Sequence, residues 1–312
     1  MEVVMNKSQN SKLMQWLKGA ASDWQLYMML LPTLVYVFIF SYIPMYGILI
    51  SFKNYRPNLG VWGSPWVGLD HFIRFIRYPA FWKIFTNTLT LSLYSFAMFP
   101  LPIILALLVN EIDSPFFRKT VQMITYAPHF ISTVVLCGIV MLFFQRSNGL
   151  INNLIVMLGG QRVDFLTRPE YFPHLYVWSG VWQTIGWSTI IYFAALSSVS
   201  PELIEAARID GASRMQIMLH VNIPTILPTI VIMLILRCGS ILSVGFEKVY
   251  LLKNDLNSDK SQVISTYVYE IGLLGGQFSY STAIGMFNTV INVICILTVN
   301  AIAKKVSEIS LW

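Results

Sequence analysis

Six apolar runs, each longer than twenty residues and free of acidic side chains, dominate this 312-residue chain, at about 26–51, 85–109, 120–144, 174–198, 224–246 and 281–303. A helix needs about twenty such residues to cross roughly 30 Å of hydrocarbon. At that depth every backbone N–H and C=O must bond within the protein, which makes helices the expected form of each run. The runs therefore predict an all-α, polytopic membrane protein with six transmembrane helices. An even number of spans puts both termini on one side.

Composition agrees. Charged residues make up 12% of the chain, about half the usual share in a soluble domain. The net charge of +6 comes from basic residues dispersed singly or in pairs. No basic stripe or interleaving of aromatic and basic residues occurs, so a nucleic-acid partner is not expected. The three cysteines, Cys137, Cys238 and Cys295, all lie in apolar runs. There they act as small hydrophobes and imply neither disulfide nor metal site. Lys7, Lys12 and Lys18 precede a first run too long for the core of a signal peptide, so that run reads as a retained span after an N-terminal segment 1–25.

Orientation is not decided by charge. With the termini cytoplasmic, the inside segments carry nine Lys and Arg residues and the outside segments eleven, so the positive-inside rule gives no answer. The longer polar segments 53–83, 145–173 and 247–280 share one side; 110–119 and 199–223 share the other. Within 69–85, Asp70 is a plausible N-cap and the apolar and basic residues alternate as in a short helix lying in the interface.

The segment 200–222 interrupts this apolar pattern. Ser200-Pro201-Glu202 is a helix start, with an N-cap, a proline at the first helical position and an acid in the first turn. Asp210-Gly211 ends that helix with a residue tolerant of positive φ, and Ser213 caps a second rod through about His220. Two short rods joined by an elbow result. Adjacent alanines after an exposed Glu205 permit close approach of another helix and one charge-assisted contact. On the residues alone, a docking elbow and an ordinary amphipathic connector both remain open.

The stretch EAARIDGAS, followed by Gln216 and IPTILP, resembles the EAA loop of permeases in binding-protein-dependent ABC importers. The likeness rests on Glu205, Ala206, Ala207, Asp210, Gly211, Ala212, Gln216, Ile223, Pro224 and Pro228. It extends through GLDHFIRF (68–75), GFEKVYLL (245–252), TYVYEIGLLGGQFSYSTAIGMF (266–287) and the terminal SLW, and is strongest toward the oligosaccharide branch of the maltose-type permeases. The resemblance implies a type I ABC importer permease fold over 26–303, with a cytoplasmic tail at 304–312. It implies a bacterial cell-membrane location with both termini cytoplasmic. The implied partners are a second homologous permease, two ATPase subunits and an extracytoplasmic substrate-binding lipoprotein. Glu205, Ala206, Ala207, Asp210 and Gly211 would then be the ATPase-coupling residues.

No catalytic constellation competes with this reading. The chain lacks a P-loop, a HExxH pair and a GxSxG elbow, and its four histidines are far apart in sequence. No cofactor or metal is expected in the chain itself; the resemblance assigns ATP and Mg to the partner ATPase. An ion-coupled secondary transporter would need acids within spans, and none is there. An ABC permease for an amino acid or phosphate is the nearer alternative.

A saccharide path calls for aromatic faces and hydroxyl-bonding groups in an apolar bundle. Trp178, Trp182, Gln183 and Trp187 offer these on two faces of the fourth span, although tryptophans there equally suit an aromatic belt. Asn288 and Asn292 share a face of the sixth span, where helix–helix hydrogen bonding is the competing role. Arg237 stands about thirteen residues into the fifth run with no acid at comparable depth. It faces a wet cavity, backbone carbonyls or a group on another chain, and in a cavity it would suit an acidic sugar.

Overall fold

The computed structural model describes residues 24–307, all helix, turn and loop apart from two isolated β-bridges. The segment 1–25 and the tail 304–312, with its terminal SLW, fall largely outside the described residues. The chain divides at Gly68 into two compact units.

In the first unit, the helix Trp24–Phe52 runs for 29 residues and buries none of its apolar window within the unit. It passes through a π-turn at Phe38–Tyr42, beside Pro44, and tightens to a 3-10 helix at Tyr46–Phe52. Proline denies its neighbours a ladder hydrogen bond, so such irregularity is expected there. A short loop then folds back, with Phe52 stacked on Trp66 at 5.6 Å and Lys53 donating to the Val61 carbonyl at 2.9 Å.

In the second unit, the spans are Phe81–Asn110, Pro115–Phe130 continued by Thr133–Phe144, Phe172–Leu196, Arg214–Cys238 and Phe278–Lys305. Among the described residues four helices are long and apolar enough to cross a membrane. The count reaches the expected six if each of two bent pairs, Pro115–Phe130 with Thr133–Phe144 and Pro169–Leu196 with Pro201–Ile209 (81°), is one span. The third is not one continuous helix: its halves meet at 101°. Pro128 removes a donor just before the break, and the Ser132 hydroxyl caps the second half by accepting from the Val135 N–H. The fifth starts ten residues earlier than the hydropathy indicates and ends at Cys238 rather than 246. Its polar first turns are helical because Ser213 and Gln216 close a reciprocal capping box. The second rod of the elbow is therefore the root of the fifth span, not a separate piece. Arg237 accordingly stands in that helix's last turn, and 239–245 is irregular.

The interfacial helix is confined to Asp70–Ile76, with Leu69 rather than Asp70 at its N-cap. Phe75 on it is 1% exposed and packs edge-on against Phe81 and Phe287. It thus anchors the helix in protein.

Three apolar clusters hold this unit together. Leu91, Cys137, Phe172 and Val249 centre one; Phe75, Ile84, Tyr267 and Ile284 a second; Ala106, Tyr192, Met218 and Ile226 a third at the elbow end. The fourth span runs between two of them. Its Gly186 lies so close to the Thr125 backbone that a Cβ there would sit 2.1 Å from that carbonyl oxygen. At the opposite end from the elbow, the polar segments are stitched down by buried amides. Asn87 donates to the carbonyls of Asp259 and Gln262, and Asn257 to those of Leu166 and Leu252. These bonds satisfy loop carbonyls that hydrocarbon could not.

Candidate functional site

A cavity of about 940 Å³ opens beside the fourth span, within the size range of small-molecule sites. The second, fourth and fifth spans line it, together with the helix Phe246–Leu252. Gln183, Trp187 and Arg237 reach its wall. Trp187 is stacked flat on His129, ring centroids 4.3 Å apart. The Gln183 amide donates at 2.7 Å to the Ile131 carbonyl, which the break in the third span leaves without a helical partner.

The other residues singled out on the path lie elsewhere. Trp178 and Trp182 are about half exposed and outside the cavity lining. The Trp178 indole donates to the Tyr94 hydroxyl at 2.9 Å, which in turn meets His174 Nδ1 at 3.0 Å. Asn292 accepts from the Leu242 N–H at 3.0 Å and donates to the Ser243 hydroxyl at 3.2 Å, holding the irregular segment after the fifth span. Asn288, one turn away, has a buried carbonyl oxygen with no hydrogen bond.

Two cations share the cavity wall. Lys248 is 9% exposed and donates to the Tyr176 carbonyl at 2.7 Å, with its amine 4.9 Å from the Tyr176 ring. Burial pushes that amine down to about 8. Arg237 makes no ion pair with any described residue. The sequence pattern singled out Arg237 but not Lys248, although Lys248 lies in the GFEKVYLL stretch. A lysine beside a glutamate in a polar segment carries no sign that folding will bury it.

At the other end stands the elbow. The Ser200 hydroxyl accepts from the Glu202 N–H, and the helix Pro201–Ile209 ends at Gly211, whose φ is +79°. The Ala212 N–H reaches the Ala207 carbonyl at 2.9 Å, closing the turn. Glu205, Ala206 and Asp210 are exposed, as are the large apolar side chains of Ile209 (87%) and Met215 (58%). The elbow is braced from one side. Arg214 donates to Asp113 at 2.9 Å and to the Glu111 carbonyl at 3.2 Å, tying it to the 111–114 connector. Among the described residues, no group of His, Cys, Asp and Glu is arranged to hold a metal ion.

Apolar helices around a cavity, with an exposed elbow at one end, fit the architecture of a membrane conduit. Residues 83–308 match the binding-protein-dependent transport system inner membrane component family, and the chain belongs to it. It is 46% identical over 284 residues to the polygalacturonan/rhamnogalacturonan transport system permease protein YteP of Bacillus subtilis, covering 91% of this chain and 88% of that one. Protein LplB of the same organism is 43% identical over 302 residues, covering 96% and 95%. The crystal structure of a bacterial ABC transporter that imports the acidic polysaccharide alginate contains a chain 41% identical to this one. That chain superposes with a TM-score of 0.87 over 94% of this chain and 99% of its own. The fold is that of an ABC importer permease, and the protein is membrane-embedded.

Proposed function

We propose that this chain is one permease subunit of an ATP-driven importer of oligosaccharides, acidic ones among them. It forms half of the translocation path with a second, homologous permease. Two ATPase subunits bind ATP and Mg and grip the elbow; an extracytoplasmic binding protein delivers substrate on the side of 53–83, 145–173 and 247–280. Both termini are cytoplasmic. The observation that carries this reading is the pairing, in one unit, of a cavity walled by aromatic, amide and cationic groups with an elbow continuous with the fifth span. The naming of acidic polysaccharides among the relatives supports the substrate class.

The mechanism follows from that continuity. The helix Arg214–Cys238 begins in the elbow and ends at the cavity wall beside Arg237. Nucleotide-driven closure of the ATPase pair moves the elbow, and the fifth span, through its π-turn at Met218–Asn222 and past Pro228, carries the displacement to the cavity. Glu205 pairs with a basic group of the ATPase, Ala206 and Ala207 allow close seating, and Asp210-Gly211 keeps the bend.

Placing cysteine at Ala206 in the assembled transporter tests this. The reading expects a crosslink to the ATPase subunit and no labelling by an impermeant thiol reagent added outside intact cells. Labelling from outside would reverse the topology and remove the proposal.

A further inference from the structure

A second, smaller recess opens next to the main cavity and differs from it in chemistry. It measures about 190 Å³, below the roughly 300 Å³ at which small-molecule sites begin. It shares Arg237, Tyr176, Ser95 and Ser240 with the main cavity and adds Ser92 and Ser243. Four serines and an arginine thus converge on a small, hydroxyl-rich space suited to a polar substituent.

Two of these groups lack partners. The Ser92 side chain is 7% exposed, yet its hydroxyl bonds to nothing, not even the preceding helical turn. A buried hydroxyl without a partner costs on the order of 1–3 kcal/mol, so it calls for an explanation. The Arg237 side chain is exposed in this chain, so it carries no desolvation cost, and its guanidinium presents five donors with no carboxylate among the described residues. A planar guanidinium matches a carboxylate through two parallel bonds. A serine hydroxyl can donate one more. The recess holds one cation, which suits a single negative charge.

We infer that this recess is a carboxylate subsite, in which Arg237 and Ser92 hold the acid group of a uronate while its ring stays in the main cavity. Arg237 supplies the charge, and Ser92 donates to the remaining oxygen lone pairs. Ser243 is positioned by Asn292, which donates to it at 3.2 Å. The sixth span thereby shapes the recess without lining it. Arg237 and Ser92 would determine specificity for charge, a role separate from carrying the sugar chain itself. The inference rests on the saccharide-import reading above.

The test uses the complete transporter in proteoliposomes with ATP inside and binding protein outside. Uptake of tetragalacturonate is compared with that of its carboxyl-reduced neutral counterpart. In Arg237→Gln the acid-to-neutral uptake ratio is expected to fall by at least about tenfold, the loss expected for a hydrogen bond to a charged group. Ser92→Ala, which also removes a hydrogen bond to the carboxylate, lowers the ratio by about tenfold, and Arg237→Lys restores part of what Arg237→Gln loses. A ratio unchanged in Arg237→Gln overturns the subsite while leaving the importer intact, and so does pairing of Arg237 with an acid of the partner permease. A parent transporter that takes up neither saccharide overturns the import reading itself. Should Arg237→Gln fail to assemble, Ser92→Ala decides alone: an unchanged ratio there removes the inference.

Discussion

The carboxamide of Gln183 donates to the carbonyl of Ile131 across 2.7 Å, joining the middle of the fourth span to the break in the third. That carbonyl is freed where the chain turns by 101° between Phe130 and Thr133. In hydrocarbon a freed carbonyl must find a donor within the protein. Replacing Gln183 by Leu removes the donor and keeps the volume. The expected cost is about 1–2 kcal/mol, read as a lower Tm of the detergent-solubilised protein. An unchanged Tm would mean that the break is stabilised by other contacts.

Gly186 is one helical turn from Gln183, on the span that packs against Thr125. Its absent Cβ would lie 2.1 Å from a backbone oxygen that cannot swing aside. Gly186→Ala is therefore expected to force the third and fourth spans apart at a cost of about 1–3 kcal/mol or more. The variant should show reduced yield of folded protein by size-exclusion chromatography. Gly138, whose added Cβ would meet nothing within 4 Å, supplies the control: Gly138→Ala should behave like the parent.

The two asparagines of the sixth span should separate cleanly. Asn292 bonds the Leu242 N–H and the Ser243 hydroxyl. Asn292→Leu leaves a backbone donor unpaired and is expected to destabilise by roughly 1–3 kcal/mol. Asn288 already has a buried, unpaired oxygen, so Asn288→Leu is expected to be neutral or stabilising by up to about 1 kcal/mol. Thermal unfolding of both variants beside the parent checks the ranking, and equal losses would contradict it.

Lys248 sets a dependence on pH. Burial lowers its amine from 10.5 to about 8, so the unfolded chain holds that proton more tightly than the folded one. Stability rises with pH wherever the unfolded state binds more protons. Below pH 8 both states are protonated and the folded state bears the full cost of the buried ammonium, on the order of 3 kcal/mol. That cost is relieved as pH climbs from about 8 toward 10.5, with Cys137 and Tyr176 as the titratable neighbours. Lys248→Met should be more stable than the parent at pH 7, and its advantage should shrink across that window. A constant difference between the two from pH 7 to 10.5 would show that the amine is not titrating where its burial places it.

Much of the architecture was legible in the linear chain. The six apolar runs became helical over most of their length, two of them within bent pairs, and Ser200, Gly211 and the Ser213–Gln216 pair punctuate the elbow as their chemistry requires. Helix caps and apolar length are local properties, written within a few residues of where they act. The misjudged outlines share a cause. Hydropathy cannot distinguish a polar helix root at Arg214 from a loop, nor an apolar loop at 239–245 from the end of a span, because it registers composition and not hydrogen bonding.

The sequence by itself therefore determined the class of fold, the apolar helices and the site of the elbow, since each depends on residues near one another in the chain. Only the tertiary structure decided which backbone carbonyl Gln183 satisfies, that Lys248 is buried in the cavity wall, and that Arg237 opens onto a recess with Ser92. These groups lie 52 to 145 residues apart in the chain. Folding bonds Gln183 to Ile131 and Lys248 to Tyr176, and leaves Ser92 unbonded beside Arg237 on one recess wall, because packing joins residues that no local pattern relates.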